Sequence, residues 1–222
     1  MLYEPSRSQE RDFSVTIGKL LAGLSVALLT SSAHATVIYT YEDPNVLTSQ
    51  VAGATTIDFN NNTCGAYASC SGHSGLVTGS VSGQYASPFG IEDTYMTVGN
   101  STATLTLNDS YDYFGLYWGS IDTYNYLSFY LGDALVRTFG GSDLPPLLAD
   151  GGQTAWTSNR YLNFFFTDGA LFDTVVLRSD GYAFESDNHA IAAVSVPEPG
   201  TLALLAAGLL GIGASRRRRR AA

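Results

Sequence analysis

The sequence predicts an all-β fold, a jelly-roll-like β-sandwich, flanked by an N-terminal signal-peptide helix and a C-terminal transmembrane sorting helix. Three observations predict the sandwich. Between residues 36 and 195 helical periodicity is nearly absent, short runs of β-branched and aromatic residues recur, and clusters of Gly, Asn, Asp and Ser separate them. Ten or so short strands at such spacing are the pattern of a sandwich. The chain therefore divides into residues 1–35, a passenger at 36–195, and a tail at 196–222.

In the first segment Lys19 precedes an almost wholly apolar or small run at 20–30, which ends in Ala33-His34-Ala35. A basic lead, an apolar centre and an A-x-A end read as a secretory signal peptide cut after Ala35, which implies export by the Sec machinery. The acids Glu4, Glu10 and Asp12 are unusual in such a leader, and the reading places the initiating codon later, at Val15.

Within the passenger, residues 37–41 and 55–59 are the first strands, and Asn60-Asn61-Asn62 turns the chain out of the second. A strand is expected over 76–85, broken by Gly79 and Gly83. Residues 94–98 and 103–107 read as a hairpin across Gly99-Asn100. Thr102, Thr104 and Thr106 alternate with Ala103, Leu105 and Leu107, so one face of that strand is wet and the other buried. The densest β signal is 113–120, followed by 124–131 and 134–139, the last two joined by a two-residue Gly132-Asp133 turn. The Gly- and Pro-rich stretch 140–152 is expected to be either functional or disordered. Strands resume at 161–166, 173–178 and 182–185, and the last spans 189–195.

Charge narrows the function classes. The passenger has no lysine and only Arg137, Arg160 and Arg178 against 16 acids, a formal net charge of −13. Nucleic acid and anionic lipid are bound by charge through positive patches, so the composition argues against both modes of binding. Cys64 and Cys70, close together in an exported chain, are expected to form one disulfide closing a small loop.

Two constellations suggest ligands. Asp58 lies near the end of an early strand, whereas Glu185 and Asp187 precede the last one, and first and last strands of a jelly roll pair side by side. That would gather the hard oxygen ligands that Ca²⁺ prefers, with solvated loop acids as the alternative. The Phe184-Glu185-Ser186-Asp187-Asn188 run also resembles the closing strand of carbohydrate-binding jelly rolls that hold structural calcium. The second constellation is aromatic: Trp156, Tyr124 and Tyr126 are candidates to stack on sugar rings, while Trp118 is expected in the core. Catalysis has little to carry it. There is no Gly-x-Ser-x-Gly elbow, the bases available to the passenger are His73 and His189, and acid pairs such as Asp109/Asp112 and Glu92/Asp93 fall in turns. A non-enzymatic protein is expected, with a calcium-holding carbohydrate-binding module and a secreted glycoside hydrolase as alternatives.

The tail has three parts in a fixed order. Val196, Pro197, Glu198 and Pro199 form a proline-bracketed hinge, residues 202–214 are apolar, and Arg216, Arg217, Arg218, Arg219 and Arg220 close it. Two prolines keep the hinge extended and accessible. The apolar run is shorter than the roughly 20 residues of a comfortable span, and five arginines act as a stop-transfer signal by the positive-inside tendency. This ordered set resembles the PEP-CTERM sorting signal of exosortase-dependent proteins. The resemblance implies cutting at or near Pro197-Glu198-Pro199 by a membrane exosortase after transient inner-membrane anchoring. It further implies delivery to the surface or extracellular matrix of a Gram-negative bacterium, with exopolysaccharide as the associated material. Residues 113–126, 161–166, 171–177 and 184–191 are similar to blocks of one subgroup of such proteins, for which no activity follows.

Overall fold

A computed structural model describes residues 36–193. The expected signal peptide and the sorting tail lie outside these described residues. Among the described residues no helix is long and apolar enough to cross a membrane.

Within the described residues twelve strands form two antiparallel sheets. The first holds β1 (Thr36–Tyr41), β2 (Thr55–Ile57), β4 (Gly75–Val77), β5 (Tyr95–Val98), β7 (Tyr113–Gly119), β10 (Arg160–Thr167) and β12 (Phe184–Ala192). Its order is β1-β10-β7-β12-β5-β4, and β2 pairs the far half of β12. The second runs β3 (Ser69–Ser71), β6 (Ser101–Tyr111), β11 (Phe172–Ser179), β8 (Asn125–Leu131), β9 (Ala134–Gly140). From β5 onward the orders β10-β7-β12-β5 and β6-β11-β8-β9 are the connectivity of a jelly roll, with β1 to β4 added at the margins.

The two sheets meet through aromatic side chains. Phe129 of β8 packs on Phe114, Phe164 and Phe166 of the facing sheet, with ring centroids 5.4, 5.4 and 5.0 Å away. Trp118, fully buried as expected, stacks on Phe184 at 4.3 Å. Such pairs add about 0.5–1.5 kcal/mol each beyond the area they bury. The alternation read in β6 holds: Ala103, Leu105 and Leu107 are buried, and the intervening threonines are not.

Three expectations change. Residues 94–98 and 103–107 do not form a hairpin, because the chain crosses between sheets at Gly99-Asn100; β5 pairs with β12 and β4, β6 with β11 and β3. Each strand buries apolar residues on a different partner, which outweighs the local turn signal. The strand expected over 76–85 is only Gly75–Val77, followed by a cover loop at 78–94 with a single bridge between Val81 and Tyr85. The runs 182–185 and 189–195 are not separate strands: Phe184–Ala192 is continuous, with a bulge between Asp187 and Ala190 where Asn188 takes φ 49°. The extra residue turns His189 into the sandwich core beside Phe59, Tyr67 and Phe114. The 140–152 stretch is ordered: it opens with a 3-10 turn at Gly141–Asp143 and buries Leu144 and Leu147 in the core.

Candidate functional site

The site lies on the outer face of the first sheet. An antiparallel sheet often leaves that face wet, yet here every residue of β7 is buried. The cover loop 78–94 lies over it, held by tyrosines that point outward from the strands. Tyr95 donates from Oη to the Gly79 carbonyl at 2.5 Å, and Tyr117 to the Phe89 carbonyl at 2.6 Å. Gly119 permits the close approach, since a Cβ there would sit 2.6 Å from Pro88 Cβ.

Where the cover loop stops, a cleft of about 680 Å³ opens. Its walls are the Ser80–Ala86 part of the loop, the β7–β8 turn with Ser120, Asp122 and Tyr124, the Asp150–Gln153 segment, and the approach to β12 with Tyr182, Ala183 and Glu185. Asn159, fully buried, ties three of these parts together. Its Oδ1 accepts from the amides of Ser120 (2.9 Å) and Phe89 (3.0 Å), and its Nδ2 donates to the carbonyls of Gly152 (2.6 Å) and Ala155 (3.0 Å). The fourth wall is fixed by Tyr124 Oη donating to the Tyr182 carbonyl and by Asn125 Nδ2 donating to the Ala183 carbonyl, both at 2.9 Å.

Three carboxyls face this cleft with different character. Glu185 is 2 % exposed; its Oε1 accepts from the Ala86 amide at 2.8 Å, and its Oε2 has no partner. Burial, reinforced by the charge of Asp122, pushes its pKa up to about 8, against the pull of the Ala86 amide. The Asp122 carboxyl is also raised, first by burial and then by Asp150, with the nearby Tyr124 hydroxyl opposing the shift. Asp150 goes the other way: Ser158 Oγ and the Gly152 amide donate to its Oδ1 and hold its pKa low. Asp150 is therefore held toward its anionic form beside Glu185, whose burial favours the neutral acid, and Asp122, whose carboxyl is shifted upward. Ser120 Oγ is a second buried polar atom in the cleft without a partner.

Of the calcium candidates, Asp187 lies near enough to Asp58 for that charge to act on it, while Glu185 lies toward Asp122. Asp187 points to the same outer face, its Oδ1 unpartnered and its pKa raised to about 8 by burial and then by Asp93 and Asp58. Asp58 and Asp93 instead share Asn60, whose Nδ2 donates to both at 3.2 Å. Glu185 turns into the cleft with Asp122. Among the described residues, the three or more metal-ligating atoms found within 4.8 Å of one another are those of Cys64, Cys70 and His73. Two of these are spent in the Cys64–Cys70 disulfide, which forms as expected with Cα atoms 6.1 Å apart.

Of the aromatic candidates, Tyr124 lines the cleft. Trp156 does not; it is half-buried against Phe89 at 4.6 Å, and its carbonyl accepts from Arg160. Tyr126 is also elsewhere, on the second sheet, under the Arg178 guanidinium at 4.2 Å. His189 is no surface base: it is fully buried between Tyr67 Oη (2.8 Å) and Ser186 Oγ (2.9 Å), and burial lowers its pKa to about 3. Sequence reasoning missed Asp122, Asp150, Ser120 and Asn159. Their only signal is the turn chemistry of Ser120-Ile121-Asp122 and Asp150-Gly151-Gly152, which marks loops without saying that they meet.

Residues 195–219 match the family of the PEP-CTERM protein-sorting motif. The chain carries that motif, and with it the mark of an exported protein targeted to an exosortase. No curated protein and no solved structure matches the chain.

Proposed function

We propose that this exosortase-targeted chain is a non-enzymatic protein of the cell surface or extracellular matrix that associates with exopolysaccharide. The Sec machinery exports it, the tail holds it at the inner membrane, and the exosortase acts at Pro197-Glu198-Pro199 to free the sandwich. The observation that carries this reading is the placement of the motif. The last strand ends at Ala192 and the family match begins at residue 195, so a folded passenger passes directly into its sorting signal. The composition supports an extracellular life among uncharged polymers, with a disulfide, no lysine between residues 36 and 193, and a strongly acidic surface.

Intact-mass analysis of the protein from surface, matrix and medium fractions of its host tests this. The expected species begins at Thr36, ends near Pro197 to Gly200, is lighter by two hydrogens, and is enriched with the polysaccharide. A mature species still carrying residues 202–220 is that of a resident membrane anchor and rejects the processing scheme.

One observation favours a second reading. Glycoside hydrolysis needs a protonated carboxyl and a second carboxylate across the scissile bond, and Glu185 and Asp122 share one cleft. Release of reducing ends from host polysaccharide would move the chain into that class.

A further inference from the structure

The cleft carries a more specific inference, which rests on the polysaccharide-associated reading above. Buried polar atoms are normally paired, and leaving one unpaired is costly. Here two orphans, Glu185 Oε2 and Ser120 Oγ, belong to side chains only 2 % and 4 % exposed, and both side chains line the same cleft. Both atoms lie just beneath the cleft surface, so a ligand whose hydroxyl groups displace their cover completes their hydrogen bonding.

The surroundings select the ligand's chemistry. Among the described residues no lysine, arginine or histidine lines the cleft, whereas Asp122, Asp150 and Glu185 do, so polyuronates, phosphates and other anions are repelled. A lone divalent cation fits poorly: the three carboxyls are not a set whose oxygens lie within 4.8 Å of one another, and the cleft is far larger than an ion. The remaining lining is mainly hydroxyls, amides and tyrosine rings, with Val81, Ala86 and Ala183 among them and Tyr182 61 % exposed at the rim. Rings that stack on a sugar face, beside polar groups that take its hydroxyls, are the complement of an uncharged saccharide, and the volume falls within the range of small-ligand sites. We propose that this cleft binds a short uncharged stretch of polysaccharide, with Glu185 and Ser120 meeting its hydroxyls from the buried side and Tyr182 covering it at the rim.

The test uses the protein purified from its host. Calorimetric titrations compare neutral glucan, mannan and galactan oligosaccharides, a polyuronate oligomer, and calcium chloride. At least one neutral oligosaccharide is expected to bind saturably, and the polyuronate at least about tenfold more weakly. Glu185→Gln keeps both a donor and an acceptor in place of a neutral carboxyl, so it should retain affinity within about threefold, whereas Ser120→Ala and Tyr182→Ala should each lose about tenfold. Tyr182 is exposed, so its variant carries the test even where a substitution at Glu185 disturbs folding. Failure of every neutral oligosaccharide to bind overturns the proposal. So does equal affinity in the Ser120 and Tyr182 variants, or binding of calcium alone that Glu185→Gln abolishes. Retention in the matrix separates the two readings. Wild-type and cleft variants retained equally reject the cleft and leave the matrix role standing; oligosaccharide binding that the variants lose, with wild type absent from the matrix, supports the cleft and rejects that role.

Discussion

Oε1 of Glu185 accepts a hydrogen bond from the Ala86 amide at 2.8 Å, joining the last strand of the sandwich to the loop that covers it. That contact places a carboxyl at the boundary between a packed outer face and an open cleft. It also makes stability depend on the protonation of buried acids.

Stability should peak on the acidic side of neutral. Burial raises Glu185 and Asp187 to about 8 from 4.5 and 3.8, so between those values the unfolded chain ionises while the folded one keeps its protons. The two acids therefore make stability fall as pH rises from about 4 to 8. His189, lowered to about 3 from 6.5, acts in the opposite sense: the unfolded chain takes up its proton first as pH falls, and stability is lost from 6.5 down to 3. With two groups against one, the thermal midpoint followed by circular dichroism should be highest near about pH 4 to 5 and decline toward pH 8. A midpoint that climbs steadily from pH 5 to 8 is incompatible with two buried, protonated acids.

Asn159→Ala should loosen the cleft walls as well as the fold. The substitution strips partners from two backbone amides and two carbonyls, and with about 1–3 kcal/mol for each group left buried and unpaired, a loss of at least about 3 kcal/mol is expected. Urea unfolding measures the loss, and limited proteolysis should show new cuts in residues 78–94. Unfolding unchanged within error would mean that water replaces the side chain freely.

Gly119→Ala tests the close approach of the cover loop. Its new Cβ would lie 2.6 Å from Pro88 Cβ and 2.9 Å from Pro88 Cα, so the loop or the strand must move. Overpacking of this kind costs about 1–3 kcal/mol, and the same urea titration reads it. Faster hydrogen exchange in the cover loop than in the second sheet would locate the damage on the outer face.

The disulfide contributes modestly. Cys64 and Cys70 are six residues apart, and a loop that short is worth about 2 kcal/mol on the chain-entropy account. Cys64→Ser with Cys70→Ser should lower the thermal midpoint by several degrees without unfolding the sandwich, because Cys70 lies on β3 at the margin of the second sheet.

Glu198→Ala addresses sorting independently of the cleft. The precursor should accumulate with residues 202–220 attached, visible as a heavier band in the membrane fraction, while the passenger keeps its fold. Normal maturation of that variant would place recognition elsewhere in the tail.

The sequence by itself determined the sorting signal and most of the strands, because both are local. Pro197-Glu198-Pro199, the apolar run and the arginines act through their order along the chain, and each strand of 113–139 and 160–179 shows its β-branched and aromatic residues in place. The Gly132-Asp133 turn was legible for the same reason: its two strands pair immediately on either side of it. Tertiary structure decided what local signals leave open. Gly99-Asn100 resembles a hairpin turn, but burial of β5 against β12 and β6 against β11 sends the two strands into different sheets. The bulge at Asn188 turned His189 into the core while Glu185 and Asp187, which precede it, stay on the outer face, since one extra residue inverts the two-residue alternation beyond it. The cleft is the furthest from legible. Ser120, Asp150 and Glu185 belong to three distant parts of the chain, and only the long-range partners of Asn159 and the folding of residues 78–94 over the sheet bring them to one place. The lone Oε2 of Glu185 is a property of that assembled place, because burial and the want of a partner exist only once the walls have closed around it.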